Sequence, residues 1–269
     1  AILSKGNLST KLISDYTHTG EWQADGNASF ETTGMLTNQA KLLAGNTLNI
    51  TAGTLDNQAN GEIVGSTLRL AATDTNTLTN RGLINGSDTF IDTITLNNIG
   101  TGRIYGDHVA IAATTLTNDA EIVNGITKVA LIAARDRLDI GATNIINQNG
   151  ALLFSADDMA IGGGLDSNHE ATGQASQIDN ISASIEALGD LSMSAATLSN
   201  RRSAFSMDRH VTGTNTQYSQ KCEDPPDCDY ISHITATSTT YQDYVTSDAD
   251  AATILAGRDA SFTIGNAVN

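Results

Sequence analysis

The sequence predicts an all-β chain folded as a right-handed parallel β-helix, a solenoid whose coils are each roughly 20 residues long. Two features predict this fold. A Leu-x-Asn signature recurs along the chain, and short runs of alternating apolar and small or polar residues lie between its copies. The signature occupies residues 36–38, 55–57, 78–80, 96–98, 116–118 and 198–200, with degenerate copies at 145–147 and 178–180.

The alternating runs include "LNITA" at 48–52, "LRLAA" at 68–72 and "VAIAA" at 109–113. Alternation places the apolar side chains of a strand on one face. One repeat cannot bury that face, whereas stacked repeats bury it between strands about 4.8 Å apart. We therefore expect two inward columns, one of Leu55, Leu78, Leu96 and Leu116, and one of Ile63, Ile84, Ile104 and Ile122.

The recurring asparagines predict a polar column at one corner of the coil. Stacked asparagine side chains can hydrogen-bond to one another and satisfy backbone groups at the turn. The alternative is a plain turn preference, because asparagine tolerates left-handed backbone geometry. The predicted ladder consists of Asn57, Asn80, Asn98, Asn118 and Asn200.

A leucine-rich repeat is the alternative solenoid, because its unit also combines leucines with an asparagine over 20–29 residues. Its convex half needs a helical or extended segment. No repeat in this chain contains a stretch of helical periodicity, and small β-forming residues fill the corresponding positions. The β-helix is therefore the favoured interpretation.

Composition narrows the classes of function. The chain has 14 Lys and Arg against 30 Asp and Glu, a formal net charge of −16. This balance argues against nucleic acid as a partner, because phosphate binding needs clustered cations. It argues equally against a polybasic membrane-surface domain. The sequence has no run of 18 apolar residues, so we expect no membrane insertion by this segment.

We find no catalytic or metal-binding pattern in the sequence. Enzymes that hydrolyse glycosidic bonds use converging carboxylates, but Asp157 and Asp158 are neighbours that should face opposite sides of a strand. Asp136 and Asp139 flank arginines, which a solvated edge explains. The histidines lack the spacing of metal ligands. We expect no enzymatic activity, catalytic residue, metal or cofactor; a carbohydrate-active enzyme is the less favoured alternative.

The regular repeats give way to a different segment at residues 201–250. Its cysteines, Cys222 and Cys228, favour a small disulfide-closed loop, which is typical of an oxidising compartment; two free thiols are the alternative. Strand-like alternation after the loop predicts a β-hairpin with the loop at its tip. The predicted domains are a shaft at 1–200, an excursion or junction at 201–250, and a resumed coil at 251–269.

Tyrosines in this segment are candidate receptor contacts, because tyrosine offers a large contact area at little entropic cost. The alternative is that they cap the stack or pack along its side. A second departure at 162–180, rich in glycine and polar residues, predicts an inserted loop. The candidate contacts are Tyr218, Tyr230, Tyr241 and Tyr244.

Three stretches resemble the filamentous-haemagglutinin repeats of exoproteins exported by two-partner secretion. They read "LTNQAKLLAGNTLNITAGTLDNQANGEIVG" at 36–65, "LTNRGLING" at 78–86 and "GTGRIYGDHVAIAATTLTN" at 100–118. The resemblance covers about residues 3–200, and "GRIYGD" at 102–107 is most similar to the CdiA-type effectors of contact-dependent growth inhibition. Adhesins share such repeats, so a general adhesin filament without toxin delivery is the alternative.

The resemblance implies a secreted protein that crosses the outer membrane through a transporter and forms a filament on the bacterial surface. In the inhibition effectors the repeats form the shaft. Another region binds a receptor on a neighbouring bacterium, such as an outer-membrane protein or a surface glycan, and a toxin is then delivered. Because the chain begins within the coil pattern at Ala1, we expect an interior filament segment that presents a receptor-binding region.

Overall fold

The computed structural model describes the backbone of residues 1–269 and all side chains except those of residues 74–76. The described chain is built from strands and turns. It contains no helix long and apolar enough to cross a membrane among the described residues. Two compact units are present: a main unit of Ala1–Ser203 with Asp250–Asn269, and a hairpin unit of Ala204–Ala249.

The main unit contains a 23-stranded sheet in which strands one repeat apart pair in parallel. Its strands fall into three sets. The first set comprises β1 (Ile2–Ser4), β4 (Trp22–Ala24), β7 (Lys41–Ala44), β9 (Glu62–Val64), β11 (Leu83–Asn85), the beginnings of β14 (Arg103–Val123) and β16 (Leu131–Gln148), β17 (Leu152–Ser155), β22 (Ser184–Ala187) and β26 (Thr253–Ala256).

The other two sets follow the first in every repeat. The second comprises β2 (Leu8–Leu12), β5 (Ala28–Thr32), the beginnings of β8 (Thr47–Asn57) and β10 (Thr67–Asn80), β12 (Asp88–Asp92), the middles of β14 and β16, β18 (Asp158–Gly162), and the beginnings of β23 (Leu191–Arg201) and β27 (Ala260–Val268). The third comprises β3 (Tyr16–His18), β6 (Met35–Asn38), β13 (Thr95–Ile99), β21 (Ala175–Ile181), and the ends of β8, β10, β14, β16, β23 and β27.

The predicted leucine column is confirmed in the third set. Leu78 pairs in register with Leu55 and with Leu96, and Leu96 pairs with Leu116. All four side chains are fully buried. The same column continues through Ile145, Ile178 and Leu198. The prediction of an all-β chain is confirmed, and the many-stranded parallel sheet is consistent with the solenoid class.

The predicted isoleucine column is wrong at its last member. Ile63, Ile84 and Ile104 pair in register and are buried, but Ile122 is 74% exposed. Ile104 pairs instead with Ile132. The repeat is longer here because the end of β14 turns back on β15 (Ile126–Val129) as an antiparallel hairpin. Asn124 and Gly125 form its turn at positive φ, a backbone region that favours these two residues.

Two further repeats are also lengthened by hairpins. In the predicted loop at 162–180, β19 (Gly164–Leu165) pairs with β20 (Ala171–Thr172). The hairpin unit separates β23 from β26 in sequence. Nevertheless β22 pairs directly with β26, with Ile185 opposite Ile254, so the sheet continues on the far side of the long insertion.

A ladder of asparagine side chains runs along the end of the third set. Each Nδ2 donates to the Oδ1 of the next asparagine at 2.7–2.9 Å: Asn38 to Asn57, Asn57 to Asn80, Asn80 to Asn98, Asn98 to Asn118, Asn118 to Asn147, Asn147 to Asn180, Asn180 to Asn200, and Asn200 to Asn269. The five asparagines named from the sequence all lie in this ladder, with Asn38, Asn147, Asn180 and Asn269 in addition.

The ladder also fixes the neighbouring turns. The second amide hydrogen of Asn118 donates to the carbonyl oxygen of Leu152 at 3.0 Å, in a strand of the first set, and most ladder members repeat this contact. Gly61 and Gly102 follow the ladder residues at this corner. A Cβ at either position would collide with a ladder amide, which explains why glycine occupies these two positions.

His18 takes the ladder position in the first complete repeat, in register with Asn38. Its side chain is fully buried, and its Nε2 donates to the carbonyl oxygen of Lys41 at 3.0 Å. Burial lowers the pKa of His18 below its ordinary value of 6.5. The His18 imidazole therefore binds a proton less readily in the folded chain than in the unfolded chain.

We expect the free energy of unfolding to be greatest above about pH 6.5 and to fall as the pH is lowered, since only the unfolded chain protonates at His18. Replacing His18 by asparagine should reduce this pH dependence by up to about 1.4 kcal/mol per pH unit. Urea unfolding between about pH 5 and 7 measures the difference. Equal pH dependence in both proteins would contradict the assignment.

Candidate functional site

The hairpin unit is a two-stranded antiparallel ribbon of β24 (Phe205–Cys222) and β25 (Ile231–Asp248). Nearly all of its residues are exposed, so it has no hydrophobic core of its own. An isolated two-stranded hairpin is only marginally stable in water. The ribbon therefore has two solvent-exposed faces that carry polar and aromatic side chains. Because it has no core, contacts between its two strands must keep these side chains in a defined conformation.

The register separates the four candidate tyrosines. Pairing of Val211 with Tyr241, followed by an extra residue at Thr212, places Tyr241 and Tyr218 on one face of the ribbon. Tyr244 lies on the opposite face and Tyr230 in the tip loop. The four are 80% (Tyr218), 75% (Tyr230), 56% (Tyr241) and 46% (Tyr244) exposed.

The face that carries Tyr241 is ordered by a charged pair. Arg209 donates from Nε to the Asp243 carboxylate at 2.7 Å, and a second hydrogen bond from its guanidinium makes the pair bidentate. The same guanidinium lies over the Tyr241 ring, with its Cζ 5.6 Å from the ring centroid. Cation–π and cross-strand contacts of this kind stabilise exposed ribbons modestly.

The tip of the ribbon is closed by a disulfide between Cys222 and Cys228, whose Cα atoms are 5.1 Å apart. The backbone N–H of Tyr230 donates to the Asp224 carboxylate at 2.9 Å. Ser232 donates to the Glu223 carboxylate at 2.6 Å. The loop thus holds the Tyr230 backbone in place while leaving its side chain open to solvent.

The expected solvated edge is wrong at Asp139, whose carboxylate is buried, whereas Asp136 is exposed as expected. The side chain of Asp139 is fully buried and accepts hydrogen bonds from His108 Nε2 at 3.0 Å, Arg137 Nε at 2.6 Å and the Ala171 N–H at 2.8 Å. Burial alone would raise the pKa of the Asp139 carboxyl. The three donors outweigh burial and hold its pKa below the ordinary value.

Asp139 tethers the inserted hairpin of β19 and β20 to the outer face of the sheet. Its strand neighbours Leu138 and Ile140 point inward, so alternation turns Asp139 outward, and the insertion then covers it. The spacing of Arg137 and Asp139, two residues apart on one strand face, is a partial signal of this contact. No spacing in the sequence indicates His108, because it is brought beside Arg137 by the parallel register of β14 with β16, whose neighbouring segments are separated in sequence by the β14–β15 hairpin.

The neighbouring acids Asp157 and Asp158 do not face opposite sides. Both carboxylates lie within 3.0 Å of the Arg258 guanidinium, which also contacts Asp190 at 3.1 Å. Asp157 belongs to the turn before β18, so strand alternation does not apply to it. Arg258 thus serves as a common partner for the three carboxylates.

The described residues include no group of three or more His, Cys, Asp or Glu side chains arranged to hold a metal ion. The candidate site is the disulfide-closed ribbon with its exposed tyrosines, which forms a compact unit of its own. No model of a known family, no curated protein and no solved structure matches this chain.

Proposed function

We propose that this chain is an interior segment of a secreted bacterial surface filament that presents a receptor-binding region to neighbouring cells for contact-dependent growth inhibition. The main unit would be the shaft, and the hairpin unit the contact element. The observation that carries the proposal is the combination of a long, in-register parallel sheet with one inserted ribbon of exposed aromatic side chains. The sequence resemblance to filamentous-haemagglutinin repeats agrees with it.

For the shaft, we infer a right-handed parallel β-helix with three strands per coil. The register supports this inference, because each inner strand of a set pairs with the strand one repeat before it and the strand one repeat after it. The ladder supports it as well, since eight consecutive side-chain hydrogen bonds follow the same order. The right-handed sense follows the general preference of parallel crossover connections.

For the contact element, the exposure of the tyrosines supports recognition. Tyr218 and Tyr241 share a face with Val211, Met207 and Val245, each of which is more than half exposed. Aromatic residues at the centre of an interface contribute much of its binding energy. A ribbon without a core also gains order when a partner covers this face.

Export is supported by the disulfide and by the charge. A disulfide such as Cys222–Cys228 forms and persists in oxidising compartments, and the cell exterior is one. A net charge of −16 keeps a long chain soluble and disfavours adhesion to anionic polymers. Both properties suit a segment displayed outside the cell, with an outer-membrane protein or surface glycan as receptor.

The test is binding of the fluorescently labelled chain to intact Gram-negative cells, measured by flow cytometry. Deleting residues 204–249 should abolish binding while the circular dichroism spectrum of the main unit stays β-rich. Replacing Tyr218 and Tyr241 together by serine should weaken binding at least about tenfold. Tyr244→Ser, on the opposite ribbon face, is the matched control and should bind normally. Unimpaired binding by the deletion variant would remove the hairpin unit as the contact element.

A further inference from the structure

A trough crosses the outward face of the second strand set in the main unit, and the proposed function makes no use of it. Two adjoining depressions, each of about 510 Å³, meet over Ala71, Asp92 and Ala112, which are in register with one another. The lining residues lie on the adjacent strands β8, β10, β12, β14 and β16. With strands about 4.8 Å apart, the trough is about 19 Å long.

The trough is recessed because the residues that form its floor have small side chains. Ala71, Ala110 and Ala112 point outward where longer side chains could stand, and Gly141 continues the floor on the next strand. A Cβ at Gly141 would collide with the backbone of Gly164. The inserted hairpin thus approaches the sheet closely at this point and forms one wall, which the contact between Asp139 and the Ala171 N–H holds in place.

The trough contains an arginine and an aspartate that the described part of the protein leaves without hydrogen-bond or ion-pair partners. These are Arg69 and Asp92. The Arg69 guanidinium lies over the Phe90 ring at 5.0 Å, and the Phe90 ring stacks on His169 at 4.0 Å. The aromatic contact positions the guanidinium while leaving its N–H groups available. Arg69 on β10 and Asp92 on β12 occupy diagonally neighbouring positions of adjacent strands, so a hydrogen-bond donor and an acceptor stand beside each other among the alanines of the floor.

We propose that this trough binds an uncharged, linear oligosaccharide. Sugar hydroxyls both donate and accept, so they suit the Asp92 carboxylate, the Arg69 guanidinium and the amide of Asn49 at the trough edge. The C–H faces of the sugar rings would lie on the alanine floor. A site lined by apolar surface with a few placed polar groups is the usual form of a small-ligand site.

Other occupants fit the trough less well. An extended peptide would find no backbone partners on the floor, because the strands beneath it pair with each other on both sides. A polyanion would meet the net charge of −16 and the free carboxylate of Asp92. Hydrolysis needs two carboxylates. The second carboxylate that lines the trough, Asp166, accepts hydrogen bonds from the backbone N–H groups of Asn168 and Glu170 at 2.8 and 3.0 Å within its own loop, so we expect binding without cleavage.

The experiment probes an array of neutral and acidic oligosaccharides with the full chain, followed by calorimetry with the best soluble ligand. Arg69→Ala/Asp92→Ala should weaken binding at least about tenfold. Ala71→Phe, which fills the floor, should give the same loss. The matched control is Lys11→Ala/Glu31→Ala, which removes an ion pair from the same sheet face outside the trough and should leave binding unchanged.

The proposal is overturned if no neutral oligosaccharide binds, if only acidic ones bind, or if the Arg69/Asp92 double variant binds as tightly as the unaltered chain. Equal loss in the Lys11/Glu31 control would also overturn it. Deleting the hairpin unit, residues 204–249, should leave oligosaccharide binding intact. This outcome separates the trough from the contact element proposed above, so either can fail without the other.

Discussion

Replacing Leu116 by aspartate is expected to leave the main unit unfolded. Leu116 is fully buried between Leu96 and Ile145 in the leucine column. Losing the buried side chain costs about 1.5–3 kcal/mol, and burying an unpaired carboxylate costs several kcal/mol more. The sum is comparable with the whole stability of a typical domain, about 5–15 kcal/mol. Circular dichroism and urea unfolding measure the loss.

Leu188→Asp is the matched control, because Leu188 is 49% exposed and its side chain stands outside the buried columns. This variant should retain the β-rich spectrum and lose no more than about 0.5 kcal/mol, as is usual for surface substitutions. A folded Leu116→Asp protein with near-normal stability would mean that the leucines do not form a dry interior.

The second large effect is expected for Asn118→Leu, which removes one rung of the ladder. The substitution leaves the Asn98 amide without its acceptor at 2.8 Å, and Asn147 Oδ1 and the Leu152 carbonyl oxygen without their donor. Each buried polar group left unsatisfied costs about 1–3 kcal/mol, so for these three groups the expected loss of unfolding free energy is roughly 3–9 kcal/mol. Urea unfolding provides the measurement.

Asn97→Leu is the control for the ladder. Asn97 is adjacent in sequence but only partly buried, and it points away from the ladder. The Asn97→Leu substitution should lower the free energy of unfolding by less than about 1 kcal/mol. If Asn118→Leu and Asn97→Leu cost the same, the ladder contributes nothing beyond the turn preference of asparagine.

The leucine column was predictable from the sequence because its members recur at nearly constant spacing and alternate with polar residues. Ile122 misled the same reasoning, since constant spacing cannot reveal that residues after Asp119 turn back as a hairpin. The ladder extends beyond the predicted asparagines because Asn147 and Asn180 keep their place although their signatures are degenerate. Local insertions therefore shift the sequence pattern without breaking the stack of side chains.

The candidate site was less predictable, because its geometry depends on pairings between distant residues. The hairpin followed from alternation and the cysteine spacing. However, an extra residue at Thr212 decides which tyrosines share a face. The environment of Asp139 depends on Ala171, which lies 32 residues further along the chain in an inserted hairpin that no local pattern encodes.

The most direct test of the central claim is a set of distances between spin labels along one outward column, in a Cys222→Ser/Cys228→Ser background. The register links Ser9, Ser29 and Asn49 through the second strand set as far as Ser192. Electron double resonance from Ser9 should give separations that rise by about 4.8 Å with every repeat, reaching about 38 Å at Ser192. A distance that levels off or falls back at the later positions would show a closed sheet and contradict the stacked shaft.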